Sequence, residues 1–186
     1  FMDLQAVTVL HDYCFENEIP ILTAMNAGFG CLAIFINLKK LGPEKRHMQT
    51  NKIAIFGFSY GGYATLVGLT FTPNVFACGV DVFGVSNLVT FIQSVPTYWK
   101  NWMPYWYKYV GNPNNPVDIT RMESKSPLFR VDQINRPLLI VQGANDARVK
   151  QQESDQIVAA MRKAGKEVEY ILFPNEGHSI RNWQNR

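Results

Sequence analysis

Apolar residues along this chain follow two patterns, one typical of buried strands and one typical of amphipathic helices. Short apolar runs bounded by Gly or Pro favour strands of a parallel sheet, whereas apolar residues three or four positions apart favour helices. The helical pattern is clearest where Ile157, Val158 and Met161 share one face and Gly165 follows as a stop signal. The two patterns alternate, and they predict strands at 52–57, 76–83, 137–142 and 168–173 and helices at 60–70, 86–94, 98–110 and 150–165.

Strands that alternate with helices predict an α/β fold with a mostly parallel sheet and helices on both faces. The start of the chain departs from this pattern, and 1–50 is interpreted as a divergent or shortened N-terminal part, with a strand at 19–28 and a helix at 32–41. No repeat, low-complexity tract or linker divides the sequence. Residues 1–186 are therefore predicted to form a single domain.

A serine between glycines directly follows the predicted strand at 52–57. The segment reads Gly57-Phe-Ser-Tyr-Gly-Gly-Tyr63, and apolar and small residues typical of a packed helix come after it. In the α/β-hydrolase fold, a strand that reverses at once into a helix holds its serine in a strained conformation with the hydroxyl exposed. Ser59 is therefore the candidate nucleophile. The alternative is an ordinary serine in a Gly-rich turn.

The loops after two later predicted strands hold the residue types that a serine nucleophile needs. Asp146 follows the strand at 137–142, and His178 follows the strand at 168–173. A serine hydroxyl needs a base within hydrogen-bond reach, and the base needs an acid that fixes its tautomer. The order serine, acid, histidine is that of α/β-hydrolases. Asp81 also ends a strand-like run and is a rival acid, ranked second because the usual acid follows the next strand.

These residues also have ordinary structural interpretations. Asp146 could cap the helix that starts near Lys150, and His178 could be a solvated loop residue. The other two histidines compete poorly as bases. His47 lies in a charged segment and His11 lies far upstream of the serine, so both are expected to be structural or exposed.

From about residue 52 to about residue 181 the chain resembles the catalytic domain of the prolyl oligopeptidase family of serine peptidases. The resemblance implies peptide substrates, with Ser59 as nucleophile, Asp146 as acid and His178 as base. It also implies that the backbone N–H of Tyr60 is an oxyanion donor and that Arg148 binds a substrate carbonyl. Tyr60 and Val85 correspond to residues near the family's specificity pocket. The segments that carry the resemblance are Gly57-Phe-Ser-Tyr-Gly-Gly-Tyr-Ala-Thr-Leu, Phe76-Ala-Cys-Gly-Val-Asp, Ser126-Pro-Leu-Phe, Gln142-Gly-Ala-Asn-Asp-Ala-Arg-Val and Phe173-Pro-Asn-Glu-Gly-His.

The sequence departs from that family at both ends. The family's upstream His-Gly-Gly-Pro stretch, which supplies a second oxyanion donor, has no counterpart here. Phe1 precedes Met2 and only eight residues follow His178, so truncation at both ends is expected and the fold is expected to be incomplete. A serine peptidase that cleaves short peptides through an acyl-enzyme is the leading hypothesis. The alternatives are a carboxylesterase of the same fold and an inactive truncated remnant that acts through self-association.

An aromatic-rich segment runs from Tyr98 to Tyr109. Aromatic side chains at this density can form a packed cap over the sheet, a stacking surface or the wall of an apolar substrate pocket. The packed cap is the favoured interpretation. Lys100 and Lys108 lie within the segment, but two lysines are too few for a groove that binds nucleic acid.

The composition of the chain excludes some classes of partner but does not indicate a function. The chain has 186 residues, a formal net charge of +3, 47% apolar residues and 18% charged residues, and no block of like charges. Neither a nucleic-acid partner nor a membrane surface is therefore expected. Cys14, Cys31 and Cys78 lack metal-ligand spacing and are interpreted as reduced or buried thiols, so no metal site is expected. No cofactor is expected either. No secretory signal is visible, which makes a cytoplasmic location the expectation.

Overall fold

The computed structural model describes residues 30–35 and 53–185. Within them, each predicted apolar run becomes a strand, and together with one further strand they form a five-stranded sheet in the order β1-β2-β3-β4-β5. Neighbours from β2 to β5 run parallel, and β1 runs antiparallel to β2. The sequence-based α/β prediction is thereby confirmed. The strands are β1 (Gly30–Phe35), β2 (Ala54–Ser59), β3 (Cys78–Val82), β4 (Leu138–Gly143) and β5 (Val168–Phe173).

Strand β1 overturns one prediction. A helix was predicted at 32–41, but residues 32–35 belong to β1, which pairs with β2 so that Gly30 lies opposite Ser59. A short run without polar positions has no periodicity that separates helix from strand, and pairing with a neighbouring strand decides between them. The remainder of that predicted helix, the predicted strand at 19–28 and most of the N-terminal part at 1–50 lie outside the described residues.

The helices follow the sequence-based prediction except in the aromatic segment and directly after it. The helix predicted at 98–110 is two elements, a 3₁₀ helix (Thr97–Trp102) and α3, and Pro104 lies near the start of the second. Helix α4 was not predicted, although Pro116 at its first position and the side chain of Asn115, which accepts from the N–H of Val117, are ordinary start signals. The helices are α1 (Tyr60–Phe71), α2 (Leu88–Ser94), α3 (Met103–Tyr109), α4 (Pro116–Ser124) and α5 (Gln151–Lys163), with further 3₁₀ helices at Pro127–Gln133 and Trp183–Asn185.

Apolar side chains are buried on both faces of the sheet. Leu66 of α1 and Ile157 of α5 pack with Ile140 of β4 on one face. On the other face, Phe56 and Phe83 belong to a second cluster, and none of its members within residues 30–35 and 53–185 is helical. The parallel strands β2, β4 and β5 end at the same edge of the sheet, so the loops that follow them meet there, where ligands bind in folds of this kind.

Candidate active site

Ser59 occupies a strained turn at the end of β2. It is the last residue of the strand and immediately precedes α1, with φ of 60° and ψ of −117°. A non-glycine residue at positive φ persists only where its surroundings hold it there. The turn is so tight that a Cβ atom at position 57 would collide with the carbonyl group of Gly61, which explains glycine at Gly57. Tyr60 is the first residue of α1, so its backbone N–H has no acceptor within the helix.

The loops after β4 and β5 bring the predicted acid and base to this turn. The Nε2 atom of His178 lies 2.9 Å from Oγ of Ser59, and its Nδ1 atom lies 2.6 Å from Oδ2 of Asp146. A carboxylate only accepts hydrogen bonds, so it holds the proton on Nδ1 and leaves Nε2 free to accept from the serine hydroxyl. The three residues therefore form one continuous chain of hydrogen bonds.

Backbone groups fix the carboxylate of Asp146 in place. Its Oδ1 atom accepts the N–H of Arg148 at 2.8 Å and the N–H of Val149 at 3.0 Å. The side chain is fully buried, and its Oδ2 atom faces His178. The position at the start of α5 that a cap would occupy belongs to Lys150, which makes no side-chain capping bond. Asp146 is thus not the cap of α5, and His178 is not a free loop residue.

Asp81, the rival acid, lies elsewhere in the core. It is completely buried on β3, and neither carboxyl oxygen makes a hydrogen bond of ordinary geometry to a described residue. Burial raises the pKa of its carboxyl group to about 8, although the nearby backbone N–H of Gly84 lowers it in part. His178 therefore has Asp146 as its acid partner rather than Asp81.

Two phenylalanines that the sequence analysis did not select as site residues enclose the imidazole of His178. The ring centroids of Phe58 and Phe83 lie 5.3 Å and 5.5 Å from that of His178. Phe83 adopts a φ of 55°, and in the described part of the chain the only other non-glycine residue at positive φ is Ser59. Both strained residues therefore contribute to one site. No local sequence signal marks Phe83, because its role depends on where β3 ends relative to β5.

Arg148 lies beside the catalytic candidates on the solvent side. Its exposed side chain lines an open pocket of about 470 Å³ together with His178, Asn145 and Tyr98. No ion pair of Arg148 is present within residues 30–35 and 53–185. The guanidinium is therefore available to a ligand that enters next to His178.

Val85 lies in an apolar cluster against which part of the aromatic segment packs. Val85 is 5% exposed and packs in a cluster with Phe91 and Val149. Trp99 and Trp106 pack against that cluster and stack on each other with ring centroids 5.9 Å apart. The segment also carries four exposed aromatic residues, Tyr98, Trp102, Tyr105 and Tyr109. It thus combines packing, which the sequence favoured, with a large aromatic surface.

The described part of the chain contains neither a metal-ligating cluster nor a helix that could cross a membrane. Over residues 30–35 and 53–185, no group of three or more His, Cys, Asp or Glu side chains is arranged to hold a metal ion. In the same residues, every helix is too short or too polar to cross a membrane.

Comparison with known proteins places the chain in a family. Residues 34–186 match the model of the prolyl oligopeptidase family, and the chain belongs to this family. It is 53% identical over 135 residues to dipeptidyl aminopeptidase BIII of Pseudoxanthomonas mexicana, an alignment that covers 73% of this chain and 20% of the relative. It is 49% identical over 136 residues to dipeptidyl peptidase family member 6 of Caenorhabditis elegans, covering 73% of this chain and 18% of the relative.

A solved structure supports the same assignment. A puromycin-hydrolyzing peptidase of Mycobacterium tuberculosis superimposes with a TM-score of 0.62 at 28% identity, covering 72% of this chain and 20% of that one. The α/β-hydrolase fold expected from the serine motif is thereby confirmed. The chain spans about a fifth of the length of the curated relatives it matches.

Proposed function

We propose that this chain is the catalytic part of a serine peptidase that hydrolyses short peptides through an acyl-enzyme on Ser59. One observation carries the proposal, the continuous hydrogen bonding from Ser59 through His178 to the buried Asp146. Membership of the prolyl oligopeptidase family and the names of the relatives, dipeptidyl aminopeptidase and dipeptidyl peptidase, favour peptides over other acyl substrates.

The acylation step uses each hydrogen bond in turn. Nε2 of His178 takes the proton of the Ser59 hydroxyl as Oγ attacks the peptide carbonyl carbon. The negative charge moves to the carbonyl oxygen, which the backbone N–H of Tyr60 stabilises as an oxyanion donor. The C–N bond then breaks, and His178 returns the proton to the leaving amine. Asp146 stabilises the imidazolium throughout without taking its proton.

Deacylation repeats the same sequence with water as the nucleophile. His178 removes a proton from water, the hydroxide attacks the acyl carbon, and the C–O bond to Ser59 breaks as the serine regains its proton. Phe58 and Phe83 favour this cycle because they limit the positions that the imidazole ring can adopt.

Two residues are proposed to hold the substrate. The guanidinium of Arg148 makes no ion pair within residues 30–35 and 53–185 and lies beside His178, so it could donate a charge-assisted hydrogen bond to a substrate carbonyl. Val85 is buried and Tyr60 is exposed, so in the proposed specificity pocket Val85 would support the wall and Tyr60 would contact the substrate. The upstream segment expected to supply a second oxyanion donor lies outside the described residues.

Covalent labelling of Ser59 tests the proposal. The purified chain is treated with a fluorophosphonate, and the adduct is located by peptide mass spectrometry. Stoichiometric labelling at Ser59 is expected, with no labelling of Ser59→Ala or of heat-denatured protein. Ser124→Ala, which removes an exposed hydroxyl on α4, is the matched control and is expected to label normally.

Substrate panels then separate the candidate activities. N-terminally free peptide anilides and aminoacyl esters with the same side chain are compared by kcat/KM. Turnover of the anilides supports a peptidase, whereas ester turnover alone would favour a carboxylesterase. A folded chain that no fluorophosphonate labels would overturn the proposal and favour an inactive remnant.

A further inference from the structure

Asp81 is a buried carboxyl group that the proposed reaction does not use. It is completely buried, and its Oδ1 atom lies against the Cα atoms of Gly62 and Gly84 so closely that a Cβ atom at either position would collide with it. Gly62 is three residues after Ser59, in the first turn of α1. Gly84 directly follows Phe83, whose ring contacts His178. One carboxyl group thus touches both the helix that presents the nucleophile and the loop that supports the base.

We propose that Asp81 is a positioning residue for Ser59 and His178 and that it performs this role only while it is uncharged. The inference rests on the proposed function. A neutral carboxyl group fits between two glycine Cα atoms without a strong hydrogen-bond partner. A carboxylate at the same place would be a buried charge without a counter-ion, which is strongly unfavourable unless donors or water reach it. The nearby backbone N–H of Gly84 lowers the pKa of Asp81 only in part, so full stabilisation of the charge would require further donors or water to approach through a shift of α1 or of the loop at 83–85.

Among residues 30–35 and 53–185, the elements packed against Asp81 contain no cation that would stabilise its charged form. In the register of the sheet Asp81 lies beside Gly57 of β2 and Ile140 of β4, and neither strand contains a titratable residue. Helix α1, which covers this face, has only Tyr60 and Tyr63 as titratable residues. The loop at 83–87 has none.

Two other titratable residues nearby, Cys78 and Glu153, do not interact with the carboxyl group of Asp81. Cys78 shares β3 but points to the opposite face of the sheet, where it packs with the second apolar cluster. The buried carboxylate of Glu153 on α5 already accepts the N–H groups of Ser86 and Asn87. Direct burial, rather than a charged neighbour, therefore raises the pKa of Asp81 to about 8.

The pH dependence of Ser59 labelling tests this role. The second-order rate of fluorophosphonate labelling is measured by intact mass from about pH 7 to about pH 10 for the wild-type chain, Asp81→Asn and the exposed-site control Asp132→Asn. Wild type and Asp132→Asn are expected to lose up to about 100-fold over this range, because the uncharged fraction falls tenfold per pH unit above the pKa. Asp81→Asn, which is isosteric and always neutral, is expected to label at pH 7 within about threefold of wild type and to keep that rate at high pH.

Each outcome decides between the proposals. An alkaline decline that persists in Asp81→Asn, or labelling of wild type that does not decline, overturns the role of Asp81 while the proposed peptidase stands. Labelling that is absent at every pH in a folded chain overturns the proposed function and the positioning role with it. If Asp81→Asn does not fold, wild-type protein with ¹³C-labelled aspartate carboxyls is titrated by NMR. A carboxyl that titrates with the same midpoint as the labelling rate supports the role, and the lack of any aspartate titrating above about pH 6 contradicts it.

Discussion

The Asp146→Asn substitution tests how the acid controls the histidine, and the structure determines how the new amide would orient. Oδ1 of Asp146 accepts two backbone N–H groups, from Arg148 at 2.8 Å and Val149 at 3.0 Å. An asparagine oxygen can keep both bonds only if the amide NH₂ faces Nδ1 of His178, 2.6 Å from the present Oδ2 position. The reverse orientation would leave two buried N–H groups unpaired, at about 1–3 kcal/mol each.

The favoured orientation of the amide places the histidine proton on the wrong nitrogen. The NH₂ group donates to Nδ1 of His178, so the proton moves to Nε2, which then donates to Ser59 instead of accepting its proton. In the Ser-His-Asp template this tautomer lowers turnover by about 10⁴-fold, equivalent to about 5.4 kcal/mol of transition-state stabilisation. We expect a loss of that order in kcat/KM on a peptide anilide and in the rate of fluorophosphonate labelling.

The control and the refuting result follow from the same geometry. Asp132→Asn, at an exposed position, is expected to keep the wild-type rate. Circular dichroism and thermal unfolding should show that Asp146→Asn remains folded, because the two backbone hydrogen bonds survive. A folded Asp146→Asn chain within tenfold of wild-type activity would show that the bond between Asp146 and His178 does not set the tautomer.

Two further predictions concern the support and the substrate side of the site. Glu153→Ala removes the acceptor for the backbone N–H groups of Ser86 and Asn87, so we expect urea unfolding to show a free energy of unfolding lower by about 2–5 kcal/mol. The control Glu123→Ala, at an exposed position, is expected to lose less than about 0.5 kcal/mol. Equal losses in the two variants would contradict the supporting role of Glu153. Arg148→Gln removes the cation that we propose binds a substrate carbonyl, and we expect KM to rise by about tenfold with kcat nearly unchanged. A fall in kcat at constant KM in steady-state assays would instead place Arg148 in the transition state.

The sequence determined most of the element types, apart from β1 and α4, and it identified the three candidate catalytic residues. Strands β2 to β5 carry short apolar or alternating runs next to Gly or Pro, and α5 carries a clear helical period, so local pattern was enough to predict each. Ser59, Asp146 and His178 could be identified from the sequence because the motifs that contain them are also local. A strained glycine-rich turn and the ends of parallel strands are features of short segments, and parallel strands bring their ends to one edge.

Tertiary structure decided what depends on side chains that are distant in sequence. The sequence pattern left Asp81 and Asp146 as competing acids, and only the path of the loop at 143–149 places Asp146 within hydrogen-bond distance of His178. The place of Phe83 against the imidazole, and the strand at Gly30–Phe35 where a helix was predicted, were likewise decided by pairing and packing. The physical reason is that hydrophobic periodicity reports which face of a segment is buried, whereas the partner that buries it is selected by the free energy of the whole packed arrangement.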